Sequence, residues 1–184
     1  MITRDLAAFG SFFRACRANF GPACAKGVFL VAPAGFSLAA ESAQDNLYMD
    51  LARAVDPQRA VDQHAGLCAA LAECVPTHCF PGDAEAPDGL FPNNVFATAR
   101  GRLILGHMRH PVRQRETDRG DIRAHFAARG YREIDLRQQP GICELTGALV
   151  IDRARGVGFC GLSERCDEAG AAAMHAAFGL RATL

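Results

Sequence analysis

With 184 residues, 49% apolar and 22% charged, the chain has ordinary globular usage, enough for one core and short for two comfortable domains. Twenty basic residues balance twenty acidic ones, so no global field draws it to nucleic acid or an anionic membrane. No run reaches the length of a membrane span.

Residues 1–26 read as an N-terminal extension, with arginines and phenylalanines interleaved. Phe9, Phe12, Phe13 and Phe20 are expected on one helical face. A continuous apolar core of a secretory signal is missing, so docking on the body is expected, with an organelle-type amphipathic leader as the other reading.

From residue 27 onward the informative feature is a repeat. VFLVAP, residues 28–33, opens a first copy. Three amphipathic helices then each run almost directly into a short strand. They are 57–74 into VPTHCF, 111–130 into YREIDL, and 166–179 into LRATL. Proline in the first turn starts the first two helices. Gly130 and Gly179 close the second and third, where positive φ is wanted. NVFATA and RLILGH, split by Arg100-Gly101, read as a hairpin, as do GALVID and GVGFCG across Arg153-Ala154-Arg155. The predicted fold is therefore α/β, built from ββαβ units of about 50 residues that stack into an array. The third copy reaches its last strand at Leu184, which predicts an incomplete array. A single α/β domain with three crossover helices is the alternative.

Eight cysteines, at 16, 24, 68, 74, 79, 143, 160 and 166, form no C-x-x-C pair and no His/Cys cluster at zinc spacing in the sequence. Several sit in apolar runs, where a thiol acts as a small core residue. A reduced, cytoplasmic protein is expected. No phosphate loop, dinucleotide fingerprint or nucleophile elbow is present, and no metal or organic cofactor is expected.

The longest irregular stretch, FPGDAEAPDGLFPNN at 80–94, carries Asp83, Glu85, Asp88, Asn93 and Asn94, two of the chain's four asparagines being adjacent. Carboxylates and amides on a proline-stiffened loop can aim hydrogen bonds at a planar nitrogenous group. Turn-forming Asn and Asp on a surface loop are the simpler account.

The segment from Asp88 to Asn94, followed by Val95-Phe96-Ala97-Thr98, resembles the D-x-V-F-P-N-N-W-F-S-T segment of the guanidino-group-modifying superfamily, which includes arginine deiminases, dimethylarginine dimethylaminohydrolases and amidinotransferases. VAPAGF with AESAQDNLYM resembles its first substrate-side loop. Pro111-Val112-Arg113-Gln114-Arg115-Glu116 resembles its arginine-rich segment, and Cys143-Glu144-Leu145-Thr146-Gly147 the segment with its acidic catalytic residue. The four stand in the family's order between residue 28 and about residue 170.

The resemblance implies an α/β propeller of five such units, of which residues 27–184 supply about three. It implies substrate contacts from Asp88, Asn93 and Asn94, a carboxylate clamp at Arg113, and a catalytic role for Glu144 in orienting a histidine and accepting charge from a substrate nitrogen. Asn94 stands where deiminases carry an aspartate. An amide cannot neutralise guanidinium, so a neutral ureido group such as that of citrulline is favoured. After Glu144 the deiminase Gly-Gly-Asp is replaced by Leu145-Thr146-Gly147.

Family chemistry is thiolate attack on the guanidino or ureido carbon, with a histidine moving protons. Both residues come late in the family chain, past the point matching Leu184, so the nucleophile is expected outside this sequence. Within it, His78 and Cys79 are strand neighbours facing opposite sides. Cys143 has Glu144 beside it to disfavour the thiolate. Cys160 and Cys166 have no nearby histidine, and His175 reads as a packing or surface residue. The arginines at 109, 113, 115, 119 and 123 carry the alternative of a solvated helix face.

The functional expectation is a hydrolase or amidinotransferase acting on C–N bonds of guanidino or ureido compounds. The alternative is a binding or oligomerisation module derived from that fold. Expected partners are a small-molecule substrate and, through open strand edges, a second copy or a C-terminal remainder.

Overall fold

A computed structural model of the chain describes residues 1–34, 36–37 and 56–184. The run AESAQDNLYM lies outside the described residues, as does the glycine of VAPAGF. The chain divides into two compact units. One comprises Met1–Cys24, Asn93–Arg109 and His125–Leu184; the other comprises Ala25–Pro92 and His110–Ala124.

In the first unit, α1 (Leu6–Ala15) begins where Asp5 accepts the N–H groups of Ala7 and Ala8 at 2.8 and 3.1 Å. Its Phe9 is buried and meets Phe159 edge to face at 5.3 Å. Phe20 falls beyond the helix end, so it shares no face with Phe9; its N–H donates to Ala154 and its ring lies under Arg181.

Two copies show the predicted ββαβ order, and the first shows strand, helix and strand among the described residues. In the second unit, β1 (Val28–Val31), α2 (Pro57–Ala72) and β2 (Thr77–Phe80) form a copy in which β1 and β2 pair in parallel. Pro57 opens α2, and Asp56 caps it at Gln58 and Arg59. In the first unit, β3 (Phe96–Ala99) and β4 (Arg102–Leu105) are antiparallel around Gly101, and β4 pairs in parallel with β5 (Arg132–Asp135). The third copy repeats that register pattern with β6 (Leu149–Asp152), β7 (Val157–Cys160) and β8 (Ala182–Thr183). A parallel pair needs a crossover of a dozen or so residues, which is what the intervening helices supply.

Two expectations are corrected. The single helix predicted over 111–130 is three pieces: α3 (Pro111–Gln114), a 3₁₀ turn (Arg115–Asp118) and α4 (Gly120–Ala127). Arg119 leaves helical space at φ −57°, ψ 93°, held by Asp121 and the Pro81 carbonyl. Secondly, the strand expected from Gly147 starts at Leu149, because one helical turn, α5 (Leu145–Ala148), intervenes. Gly130 and Gly179 do take positive φ, 77° and 66°.

The first unit's core joins Ile104, Leu136, Leu145, Leu149, Met174 and Phe178 under α6 (Glu168–Phe178). Each such burial contributes about 1.5–3 kcal/mol of transfer free energy. Asp167 caps α6 at Gly170, and its other oxygen accepts the Ile142 N–H at 3.2 Å. The segment 142–144 is thereby tied to the helix start.

On α6, His175 Nδ1 lies 2.9 Å from Oγ1 of the buried Thr183. Burial, helped by the N-terminal ammonium, lowers its pKa from the ordinary 6.5. A depressed histidine pKa means the unfolded chain takes the proton first. Its contribution is therefore complete above about pH 6.5 and is lost as pH falls towards the folded-state value. In thermal melts from pH 8 to pH 5, wild type is expected to lose Tm more steeply than His175→Gln; equal slopes would refute the assignment.

All eight cysteines are free thiols. Among the described residues no helix is long and apolar enough to cross a membrane.

Candidate functional site

Glu144 sits at the N-terminus of α5 and is only 3% exposed. Backbone bonds fix it from both sides. Cys143 exchanges N–H···O bonds with His107 at 3.0 and 3.1 Å, and the Glu144 N–H donates to Arg165 at 3.0 Å. Its carboxylate faces the Arg109 N–H at 3.5 Å and Arg165 Nε at 3.9 Å. These are long contacts for charge-assisted bonds, so the carboxylate retains acceptor capacity. The next residue, the fully buried Leu145, has φ 21°, an unfavourable value for a branched side chain and a strain that only the surrounding core maintains.

Asn93 and Asn94 lie on a 3₁₀ turn, Pro92–Asn94, directly before β3. Asn93 Nδ2 donates to Asn94 Oδ1 at 3.0 Å and to Thr146 Oγ1 at 2.9 Å, and that hydroxyl donates back to the Asn93 carbonyl at 2.8 Å. Thr146 is two residues from Glu144, so the two asparagines and the Glu144 segment come together within the first unit. Asn94 Oδ1 thus accepts its hydrogen bond from the neighbouring Asn93 amide.

Asp88 and Arg113 belong to the second unit. Asp88 is 1% exposed, and its carbonyl accepts the Phe91 N–H at 2.9 Å. The Phe91 carbonyl in turn accepts from Arg113 Nη2 at 3.0 Å. Arg113 is 7% exposed and Glu116 4%; Nη2 donates to Glu116 Oε2 at 3.0 Å and Nε stands 2.7 Å from Oε1. The solvated-face alternative therefore fails for Arg113. Arg113 on α3 and Glu116 on the 3₁₀ turn that follows are three residues apart, a spacing at which side chains on successive helical turns are neighbours. The segment after β1 joins the same cluster: Ala32 N–H donates to Phe80, and Phe36 meets Phe91 edge to face. Three of the four segments singled out in the sequence thus contribute to two local clusters, one in each unit, and the described part of the first loop joins the second.

The thiols divide clearly. Burial pushes Cys143 up to about 11, and the neighbouring Glu144 charge adds only slightly to the rise. Cys160 and Cys166 lie 3.7 Å apart, sulfur to sulfur. That contact lowers the Cys160 pKa and raises that of Cys166, whose burial adds to the rise. His78 packs on Phe80 at 4.4 Å between ring centroids, on the strand face opposite Cys79. One group escaped the sequence analysis. His64, Cys68 and Cys79 have their ligand atoms within 4.8 Å of one another. The i, i+4 spacing of His64 and Cys68 was a visible signal, but Cys79 joins them only through the return of β2.

Solved structures with this fold define the class. The N-terminal domain of ArgZ, a cysteine-to-serine mutant bound to substrate and described as an arginine dihydrolase from the ornithine–ammonia cycle in Cyanobacteria, aligns with TM-score 0.67 at 19% identity over 86% of this chain and 57% of that one. DDAH from Pseudomonas aeruginosa, a cysteine-to-serine mutant complexed with citrulline, aligns at 0.66 and 22% identity over 86% and 60%. AgrE, a cysteine-to-alanine mutant with L-arginine, gives 0.68 at 18% identity over 84% and 22%. At these identities the likeness is one of fold: α/β with mixed sheets. The chain spans less than two thirds of the length of each of these proteins. No curated protein matches its sequence. The family model for N,N dimethylarginine dimethylhydrolase, eukaryotic, matches residues 32–183. The chain belongs to that family, and so to the pentein-fold superfamily of guanidino-modifying proteins.

Proposed function

We propose that the chain is the substrate-holding part of a hydrolase or amidinotransferase that opens a C–N bond in an arginine- or citrulline-like compound. We further propose that its three units are consecutive members of a five-unit α/β propeller, with residues 1–26 as an extension and 27–184 as the incomplete propeller domain. The observation that carries this reading is the buried Glu144 carboxylate on a strained turn, two residues from a hydroxyl bonded to Asn93, whose amide in turn donates to Asn94. Glu144 would accept charge from the substrate nitrogen and orient the catalytic histidine. Asn93 and Asn94 would hold the planar head. Asp88 would hydrogen-bond a planar guanidino-like head or a backbone group beside it. Arg113, pre-oriented by Glu116, would meet a substrate carboxylate with its remaining donors.

None of the chain's buried thiols is assigned to the attack, since Cys143 and Cys166 are both held towards the protonated form. Nucleophile and histidine would then come from residues outside this sequence. The same observation favours a second reading, a binding or oligomerisation module without chemistry. Eight free thiols support a reducing, cytoplasmic setting for either.

Calorimetric titration of the full chain with L-citrulline, L-arginine and N,N-dimethylarginine tests the reading. Citrulline is expected to bind tighter than arginine. Asn94→Asp should shift the ratio towards arginine by about tenfold, the equivalent of ~1.4 kcal/mol from pairing a charge. Glu144→Gln should weaken both cationic ligands more than citrulline. No binding of any of the three would sink the proposal. Release of ammonia or dimethylamine by the chain alone would refute the placement of the nucleophile outside it.

A further inference from the structure

We propose that His64, Cys68 and Cys79 form a binding site for a thiophilic divalent cation, zinc, through one imidazole and two thiolates. The site lies wholly in the β1–α2–β2 copy. His64 and Cys68 are four residues apart on α2 and so share one face. Cys79 lies on β2, in the strand position that alternates away from His78 and Phe80, whose rings pack on each other.

The distances suit a tetrahedral ion before any adjustment. Zinc–nitrogen and zinc–sulfur bonds of about 2.0 and 2.3 Å at a tetrahedral angle separate the two ligand atoms by roughly 3.5 Å. His64 Nδ1 and Cys68 Sγ are 3.6 Å apart. The remaining pairs are within 4.8 Å, so side-chain rotation of about 1 Å would bring Cys79 in. Among the described residues His64 Nε2, although buried, has no hydrogen-bond partner. No carbonyl or carboxylate therefore commits the ring to another tautomer or orientation.

The chemistry of the donor set points the same way. Two thiolates balance the charge of one divalent cation, and imidazole completes a soft-to-borderline set that selects zinc over magnesium or calcium. Binding exchanges the two thiol protons for the ion, so two protons leave per cation bound. Cys79 is exposed, which leaves the fourth coordination position to water. A mechanical consequence follows for the fold. No residue of α2 is fully buried, so little apolar burial clamps the helix to β2, and a cation bridging the two would do so directly.

The test uses the full chain, reduced and stripped of metal, titrated with Co²⁺ as an optical probe. Expected are one equivalent of binding, a thiolate-to-cobalt charge-transfer band, d–d absorption of a four-coordinate ion, displacement by Zn²⁺, and two protons released per ion in weak buffer. Cys68→Ser, Cys79→Ser and His64→Gln should each weaken binding by about tenfold or more. Cys74→Ser, an exposed thiol just past the end of the same helix, should bind as wild type does. Circular dichroism of each variant separates lost ligation from lost fold. Zinc at about a hundredfold excess over Kd should also raise Tm by about 7 °C. The proposal is overturned if folded wild type gives no charge-transfer band, or if Cys68→Ser or Cys79→Ser keeps both the wild-type affinity and the full band intensity expected of two thiolates, or if the band disappears in Cys74→Ser.

Discussion

Replacing Glu116 with alanine is expected to cost about 3–5 kcal/mol of folding stability, because it leaves the Arg113 guanidinium buried without its counter-charge. Arg113 and Glu116 are both nearly inaccessible, at 7% and 4% exposure, and meet through two contacts of 2.7 and 3.0 Å. An exposed pair of the same geometry would contribute only about 0–1 kcal/mol, so burial decides the size of the effect. The double variant Arg113→Met, Glu116→Leu should recover most of the loss, since apolar side chains of similar volume carry no desolvation penalty. Urea unfolding followed by circular dichroism measures all three proteins. A loss below about 1 kcal/mol in Glu116→Ala would mean that water reaches the pair. Phe91 supplies a local readout, because its carbonyl accepts from Arg113 and its N–H donates to Asp88.

A second large effect is expected at Gly170, where two terms compete. Alanine is a better helix residue than glycine by about 0.8–1 kcal/mol, and Gly170 lies inside α6. Yet a Cβ there would overlap the Ile142 carbonyl oxygen, stand 2.6 Å from its carbon and 3.1 Å from Cys143 Cβ. Backbone atoms cannot rotate aside as a flexible side chain does. Sterics should therefore win, and Gly170→Ala is expected to destabilise by about 3 kcal/mol. The displaced segment is the one that carries Glu144, so amide exchange at Cys143 and Glu144 should accelerate beyond the global change. A stabilised Gly170→Ala protein would show that α6 does not press on this segment.

The strand–helix periodicity made most of the fold legible. Hairpins at Gly101 and across 153–155, parallel returns after α2, α4 and α6, and positive φ at Gly130 and Gly179 all follow from local rules of turn chemistry and hydrophobic spacing. The uninterrupted helix over 111–130 did not hold. Arginine and glutamate have good helix propensity, but Thr117, Asp118 and Gly120 beside Arg119 are poor helix formers and mark the break locally; only the Pro81 carbonyl that holds Arg119 is remote in sequence. The turn that holds Glu144 was missed for a related reason. Leu145 at φ 21° contradicts its intrinsic preference and is kept there by burial.

The sequence by itself determined the α/β class, the order of the copies and the family, because these rest on periodicity and on short motifs read along the chain. Tertiary structure decided which of the marked residues are neighbours. It turned Arg113 from one arginine in a charged run into half of a buried ion pair. It linked Asn93 to Thr146 across 53 positions, and it carried Cys79 back to His64 and Cys68. Contacts of that kind depend on where strands return in space, and spacing along the chain holds no record of it.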